Sequence, residues 1–360
     1  MSDSLIDTSK LLFALLRTAL WGYPHVRGIT ANQFQQVMAL AEDQTVAGSV
    51  FDVLKDKKIE GLNDAMPIYD AIGLTEQIKQ QNAVVNKELL WFIVRCQEVR
   101  LDCMIVKGQT LAALYLSPDL RQSGDIDFLT TQIAQMQQVF PDAGIPKRLL
   151  EKEFAFSHNF ITYELHSRLI DFGCKKHQKL WDGQEAKEWH QKYSAKVDGV
   201  EVRTLSPTMN AAYLFIHLFF HLIREGVSLR QFCDWAVFLH THCGQIDRKK
   251  LSDIILCLDM LDGYKAFGSV LVDELGLPEN EFPMKITDEN RQWKEKILYD
   301  VFRGGNFGKK NHQARTALGY KFETLRMAIR NSFRYYKLAP SEMRMMIPKM
   351  IGINLKLMFN

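Results

Sequence analysis

Two carboxylates separated by a single apolar residue stand at Asp125-Ile126-Asp127, and the chain runs on into Phe128 and Leu129. Read as a strand, the period of two places Asp125 and Asp127 on one face and Ile126 and Phe128 on the other. Like charges sharing a strand face repel, so the arrangement is costly unless a cation lies between them. Mg²⁺ is held by one or two carboxylates together with substrate phosphates. The triplet therefore reads as half of a metal–phosphate site; the alternative is an exposed edge carrying two solvated aspartates.

The residues upstream favour the first reading. Residues 101–106 (LDCMIV) form a short apolar run that predicts a strand, and Lys107-Gly108 follow at once. Residues 109–116 then read as an amphipathic helix with Leu111, Leu114 and Tyr115 on one side. A glycine between a strand and a helix start lets backbone N–H groups approach an anion, and the helix N-terminus favours negative charge. Ser117-Pro118-Asp119 breaks that helix, and Arg121, Ser123 and Gly124 lead into the acidic strand. Phosphate-binding elements (Lys107, Gly108, the helix start, Arg121, Ser123) thus precede metal-binding ones in one short unit. That is the equipment of phosphoryl or nucleotidyl transfer.

The order Gly, helix, Asp-x-Asp resembles the polymerase-β-type nucleotidyltransferase superfamily. The longer pattern from Lys107-Gly108 through Arg121, Gly124-Asp125-Ile126-Asp127 and Tyr163-Glu164-Leu165-His166 is similar to a poorly characterised bacterial branch known as uncharacterised nucleotidyltransferases. The resemblance implies a Mg²⁺ (or Mn²⁺) site completed by a third carboxylate on a later strand, and Glu164 in the β-rich run 160–166 fits that place. It also implies a nucleoside triphosphate, with ATP as the leading candidate, as co-substrate. The superfamily usually places Ser or a second Gly after the motif glycine; here Gln109 stands there, with an amide able to donate to a phosphate. Gly226 and the stretch 229–235 (LRQFCDW) resemble the branch's helical segment and bring Arg230 into the candidate nucleotide-binding set.

Around this unit the pattern predicts an α+β chain in three parts. Residues 1–98 read as an N-terminal helical region, residues 99–205 as a small mixed-sheet nucleotidyltransferase core, and residues 206–360 as a C-terminal helical region. Expected core elements are strands at 101–106, 124–129, 153–157, 159–165 and 200–205, with helices at 109–116 and 131–140. Ser206-Pro207 supplies an N-cap and first-turn proline for the next helix. At 360 residues the chain is long enough for more than one packed unit. A net charge of +3 does not demand nucleic acid as a partner. The six cysteines form no Cys-x-x-Cys pair and read as reduced. The N-terminus carries acids where an export signal has bases, and the apolar run 209–223 is interrupted by His217 and His221, so no membrane span and a cytoplasmic setting are expected.

Several features stay open on sequence alone. His217 and His221 share a helix face and are either packed histidines or ligands. Arg230 and Asp234 are either a surface i,i+4 ion pair or part of a helix roofing the cleft. Beyond residue 308, Lys309, Lys310, Arg315, Lys321, Arg326, Arg330, Arg334, Lys337, Arg344, Lys349 and Lys356 make the tail basic and read as a solvated helical face, with an acidic acceptor substrate, RNA or an anionic membrane surface as the functional alternatives. The expected activity is NMP transfer from an NTP to a hydroxyl or phosphate acceptor: a small molecule, a sugar phosphate, a protein or RNA. The alternatives are a phosphotransferase using the same metal site and a catalytically silent nucleotide-binding or interaction protein.

Overall fold

The computed structural model describes residues 3–23, 26–149, 152–305, 317–346 and 348–349. Lys309, Lys310, Arg315 and Lys356 of the basic tail lie outside the described residues. The chain starts with helices α1 (Asp3–Trp21), α2 (Ala31–Asp43) and α3 (Ala47–Leu54), with β1 (Gly28–Thr30) and β2 (Lys58–Glu60) paired in parallel beside them. Thr30 starts α2 through a capping box: its side chain accepts from the Gln33 N–H while the Gln33 side chain accepts from the Thr30 N–H. The long α4 (Met66–Glu98) extends further at both ends than its apolar pattern.

A four-stranded mixed sheet follows. Its strands are β3 (Met104–Ile105), β4 (Asp125–Leu129), β5 (Glu153–His158) and β6 (Ile161–His166), in the order β3-β4-β6-β5. The central pair, β4 and β6, is parallel, and both outer pairings are antiparallel. One face carries Ile126, Phe128, Tyr163 and Leu165, which pack against Leu89, Phe92 and Ile93 of α4. Alternation then forces the intervening residues of β4 and β6 onto the opposite face.

Between β3 and β4 the helix α5 (Gln109–Ala112) is a single turn, shorter than the stretch 109–116. Leu114 and Tyr115 donate to carbonyls only three residues back, and Pro118 has no N–H with which to continue the helix. The expected helix at 131–140 is likewise a 3₁₀ turn (Ile133–Gln135) followed by the one-turn α6 (Met136–Val139). Two elements were not foreseen. Helix α7 (Lys175–Glu188) buries His177, Trp181, Glu185 and Glu188, a mostly polar face that no apolar period marks. Strand β7 (Tyr193–Val197) pairs with β8 (Val200–Thr204) across Asp198-Gly199, both at positive φ. Asp-Gly between strands is a strong hairpin signal, and it stands in the sequence.

Helices α8 (Pro207–Arg224) and α9 (Leu229–His242) come next, begun by the Ser206 N-cap and by a Ser228–Gln231 capping box. The helices α10 (Arg248–Cys257), α11 (Leu261–Asp273), α12 (Asp288–Arg291), α13 (Lys294–Gly304) and α14 (Ala317–Arg334) complete the chain. Residues of α1–α3 share one hydrophobic cluster with α8, α9 and α11. On α14, Arg326 and Arg330 are exposed while Met327 and Ala328 are buried. Among the described residues no helix is long and apolar enough to cross a membrane, and all six cysteines are free.

A buried ion pair ties α9 to the segment before β4. Arg121 Nε and Nη2 donate to Asp234 at 2.7 and 2.8 Å, and Tyr115 Oη donates to the same carboxylate at 2.7 Å. The sequence suggested Arg230 as the partner of Asp234; Arg121 takes that place because it meets the carboxylate edge-on with two parallel bonds. Breaking a buried pair from one side strands a charge, so Asp234→Ala is expected to destabilise by about 3–5 kcal/mol. Arg121→Met combined with Asp234→Leu is expected to fall much closer to wild type. Urea denaturation of the three proteins checks this, and a small loss in the single variant would refute it.

Candidate active site

The parallel register sets Asp127 directly beside Glu164 and Asp125 beside Thr162, so Asp125, Asp127 and Glu164 all lie on the face away from α4. His166 follows on the same face, and Glu153 of β5 pairs with it. Asp127 is the centre of the cluster. Lys107 Nζ lies 2.9 Å and His166 Nε2 3.0 Å from Asp127 Oδ1. His166 Nε2 is also 3.8 Å from Glu164 Oε2. His166 was quoted in the motif without a role; the structure makes it the histidine that orients Asp127.

Lys107 reaches this position because the backbone turns sharply after β3. Lys107 and Gly108 both have positive φ, 61° and 54°. Gly108 also has ψ −123°, a combination that side chains strongly disfavour, whereas a Cβ there would meet only ordinary contacts. Backbone conformation therefore fixes the glycine, and the turn carries the lysine back over the sheet.

The carboxylates divide electrostatically. Burial alone would raise the Asp127 carboxyl, but Lys107 and His166 outweigh it and hold it well below the usual range. Burial, with Asp127 as a like charge, pushes Glu164 up to about 9. The same two causes raise Asp125. Lys107 is pulled down by burial yet held up by Asp127, Tyr213 and the other acids, so it stays an ammonium ion. Burial and Lys107 keep His217 neutral. Its Nε2 lies 3.2 Å from Lys107 Nζ and accepts, which leaves the His217 proton on Nδ1.

The acids face a cleft of about 930 Å³, whose second wall is made by α8 and α9. Lys107, Gly108, Arg121 and Arg230 all line it, together with His217 and His221. Arg230 donates from Nη1 to the Gln122 carbonyl, its Nε has no partner among the described residues, and it acts electrostatically on Asp125. Two expected phosphate ligands are turned away. Gln109 is buried and its amide donates to Asn86 on α4, and Ser123 accepts from Arg121 Nη1. Arg121 itself spends Nε, Nη1 and Nη2 on Asp234 and Ser123. The N–H groups of Thr110, Leu111 and Ala112 return to the carbonyls of Lys107 and Gly108, closing the turn. Arg224, at the end of α8, lines the cleft and was not foreseen.

The donor set fits a hard divalent ion. Asp127, Glu164 and His166 bring ligand atoms within 4.8 Å of one another. Carboxylate oxygens are the ligands that Mg²⁺ and Mn²⁺ select. Asp125 has no ion pair among the described residues, and the raised Glu164 marks negative charge that Lys107 alone does not balance.

A solved structure of an antigenic nucleotidyltransferase-like protein from Paracoccidioides brasiliensis is 12% identical, with a TM-score of 0.29 over 55% of this chain and 93% of that one. No curated protein matches the chain. A family profile described as "Uncharacterised nucleotidyltransferase" matches residues 30–266, which run from the start of α2 past the sheet and the helix wall of the cleft. The chain belongs to the uncharacterised nucleotidyltransferase family.

Proposed function

We propose that this protein is a Mg²⁺-dependent nucleotidyltransferase, with Mn²⁺ able to substitute, that transfers NMP from ATP to a hydroxyl or phosphate group of an acceptor. The observation that carries this reading is the in-register placement of Asp127 beside Glu164, with Asp125 on the same face, lining a cleft shared with two helices. Asp125, Asp127 and Glu164 would hold the metal. Bound there, divalent ions supply charge stabilisation at the attacking and leaving oxygens of an in-line displacement.

The chain's own residues do the rest. His166 fixes the Asp127 carboxylate by donating from Nε2, which keeps a ligand oxygen in place. Lys107 offsets negative charge beside Asp127, and Arg230, lining the opposite wall, holds donor phosphates with its charged guanidinium. Leu214, Phe220 and Ile170 give the cleft an apolar lining that limits water around the reacting groups. The products are the NMP-modified acceptor and pyrophosphate.

The test is release of pyrophosphate from Mg·ATP with a panel of acceptors. Asp125→Asn and Asp127→Asn are each expected to lower turnover by about 10²–10³-fold, as for the loss of a preorganised electrostatic group. Their stabilities should part company. Asp125→Asn relieves repulsion and leaves stability unchanged or raised, whereas Asp127→Asn strands Lys107 and costs about 3 kcal/mol. Near-normal turnover in either variant at saturating Mg²⁺ would overturn the metal site. Release of ADP instead of pyrophosphate would point to phosphoryl transfer, and ATP failing to raise Tm in a Mg²⁺-dependent way would point to a silent protein.

Glu164 also gives a pH signature. Its folded pKa is raised to about 9 from an ordinary 4.5, so its contribution to stability is fully present below 4.5 and is lost as pH rises through about 9. The metal-free protein is therefore expected to lose melting temperature across that window, and Glu164→Gln to abolish this part of the loss. Asp127 runs the other way: its pKa is depressed, so its contribution is present above 3.8 and fades as pH falls below that value. Because metal binding must expel the Glu164 proton, Mg²⁺ affinity should rise by up to about tenfold per pH unit below 9. Calorimetric Mg²⁺ titrations at several pH values check this, and a flat profile would count against Glu164 as a ligand.

A further inference from the structure

Arg224 is a half-buried guanidinium that lines the cleft and that the transfer reaction described above leaves unused. It ends α8, seven residues beyond His217 and so nearly two full turns on, which places it on the same face roughly 10 Å along the helix axis. Its guanidinium carbon lies 4.7 Å from the centre of the Phe220 ring, and Nη2 donates to the Asp171 carbonyl at 3.3 Å. Nε is closed off from solvent and has no partner among the described residues. The acids around it are engaged elsewhere. Asp171 pairs with Lys349 at 2.7 Å, Glu225 with His221 at 3.3 Å and Glu153 with Lys152 at 2.7 Å. Glu342 accepts from Gly173 N, Cys174 N and His177 Nδ1. Burial accordingly pulls Arg224 below its ordinary pKa even with these acids nearby. A cation held rigidly on an aromatic ring, lining a cleft and lacking a carboxylate of its own is built for an anion that arrives from outside.

Arg230 lines the same cleft, acts electrostatically on Asp125 and donates to the Gln122 carbonyl, with no aromatic contact of this kind among the described residues. The volume of about 930 Å³ lies at the upper end of small-molecule pockets, roughly 300–1,000 Å³, so it has room for a nucleotide and a second small ligand. We infer that the acceptor is a small phosphorylated molecule whose phosphate is held by Arg224, with its free hydroxyl directed at Asp125, Asp127 and Glu164. This rests on the nucleotidyl-transfer reading. In the step, the acceptor oxygen forms a bond to the α-phosphorus of the NTP and the bond from that phosphorus to the β-phosphate bridge breaks. Pyrophosphate leaves with the electron pair, and the hydroxyl proton passes to water in the open cleft.

Calorimetric titration of inorganic phosphate into the full chain tests the subsite, with and without a saturating Mg²⁺ complex of a non-hydrolysable ATP analogue. Phosphate is expected to bind beside the nucleotide. Arg224→Met should weaken phosphate about tenfold or more and leave nucleotide affinity within twofold, whereas Arg230→Met should do the reverse. Acetate, a carboxylate probe, should not compete. Arg224→Lys keeps the charge but loses the planar fork of terminal N–H groups and should give an intermediate loss, so the comparison survives if the methionine variant does not fold. The inference is overturned if Arg224→Met changes phosphate affinity less than about threefold, if it weakens the nucleotide instead, or if acetate binds as well as phosphate. Failure of the nucleotide to bind at all would defeat the transfer reading alone. Phosphate lost in Arg224→Met and kept in Arg230→Met without nucleotide would still establish the subsite.

Discussion

Three carboxylates on one sheet face, lining one cleft, are the constraint around which this protein is arranged. A sheet one face of which must bury Phe128, Tyr163 and Leu165 against α4 has no choice about where Asp125, Asp127 and Glu164 point. The repulsion that follows is met unequally. Asp127 receives Lys107 and His166, while Asp125 and Glu164 are left with raised pKa values. The positive-φ turn at Lys107-Gly108 is part of the same solution, because only a chain that doubles back after β3 can set a lysine over the central strand. The same repulsion is what the proposed divalent ion would relieve, so the electrostatic cost of grouping the acids and the proposed metal affinity have a common origin.

Helix α9 has to be held over that sheet without filling the cleft. The Arg121–Asp234–Tyr115 cluster does this at the edge of the site, in a region where an apolar contact would specify position less sharply. Buried pairs of this kind contribute little net stability against a hydrophobic isostere. Here the pair fixes register: it anchors the segment just before β4 and leaves Arg230, one turn earlier on α9, free to line the opening. Glu188 has a similar office behind α8, accepting from the N–H and hydroxyl of Ser206 where that helix begins.

The sequence shows the acidic face of the sheet well, because strand alternation is a short-range rule and Asp125, Asp127, Glu164 and Ile126 obey it. It also shows the starts of α2, α8 and α9, whose capping residues act within three positions. What it hides is long-range. Nothing local says that Arg121 will close on Asp234 rather than leave it to Arg230, or that Gln109 will turn to Asn86. Helix α7 escapes because its buried side chains are His177, Trp181, Glu185 and Glu188: His177, Glu185 and Glu188 meet partners outside the helix, and Trp181 donates to Glu185 within it. The hairpin at Asp198-Gly199 was legible, and only its first strand, alternating weakly through Tyr193, Ala195 and Val197, obscured it.

The charges lining the cleft cancel in a pattern that bears on the proposed ligand. Lys107 with Asp127, Arg121 with Asp234, Lys152 with Glu153 and Lys349 with Asp171 form pairs within it. Negative charge without a cation in ion-pair contact then remains on the sheet at Asp125, while Glu164 keeps only the neutral-leaning His166. On the helix wall, Arg224 and Arg230 donate to backbone carbonyls, and among the described residues neither has a carboxylate in ion-pair contact. A simple anion would be repelled by the sheet and a simple cation by the helices. A ligand that presents divalent metal to one wall and phosphate to the other would satisfy both, because each of its poles would meet a half-buried group of opposite sign. A metal–nucleotide complex has that polarity, and both Arg224 and Arg230 line the cleft that the acids face.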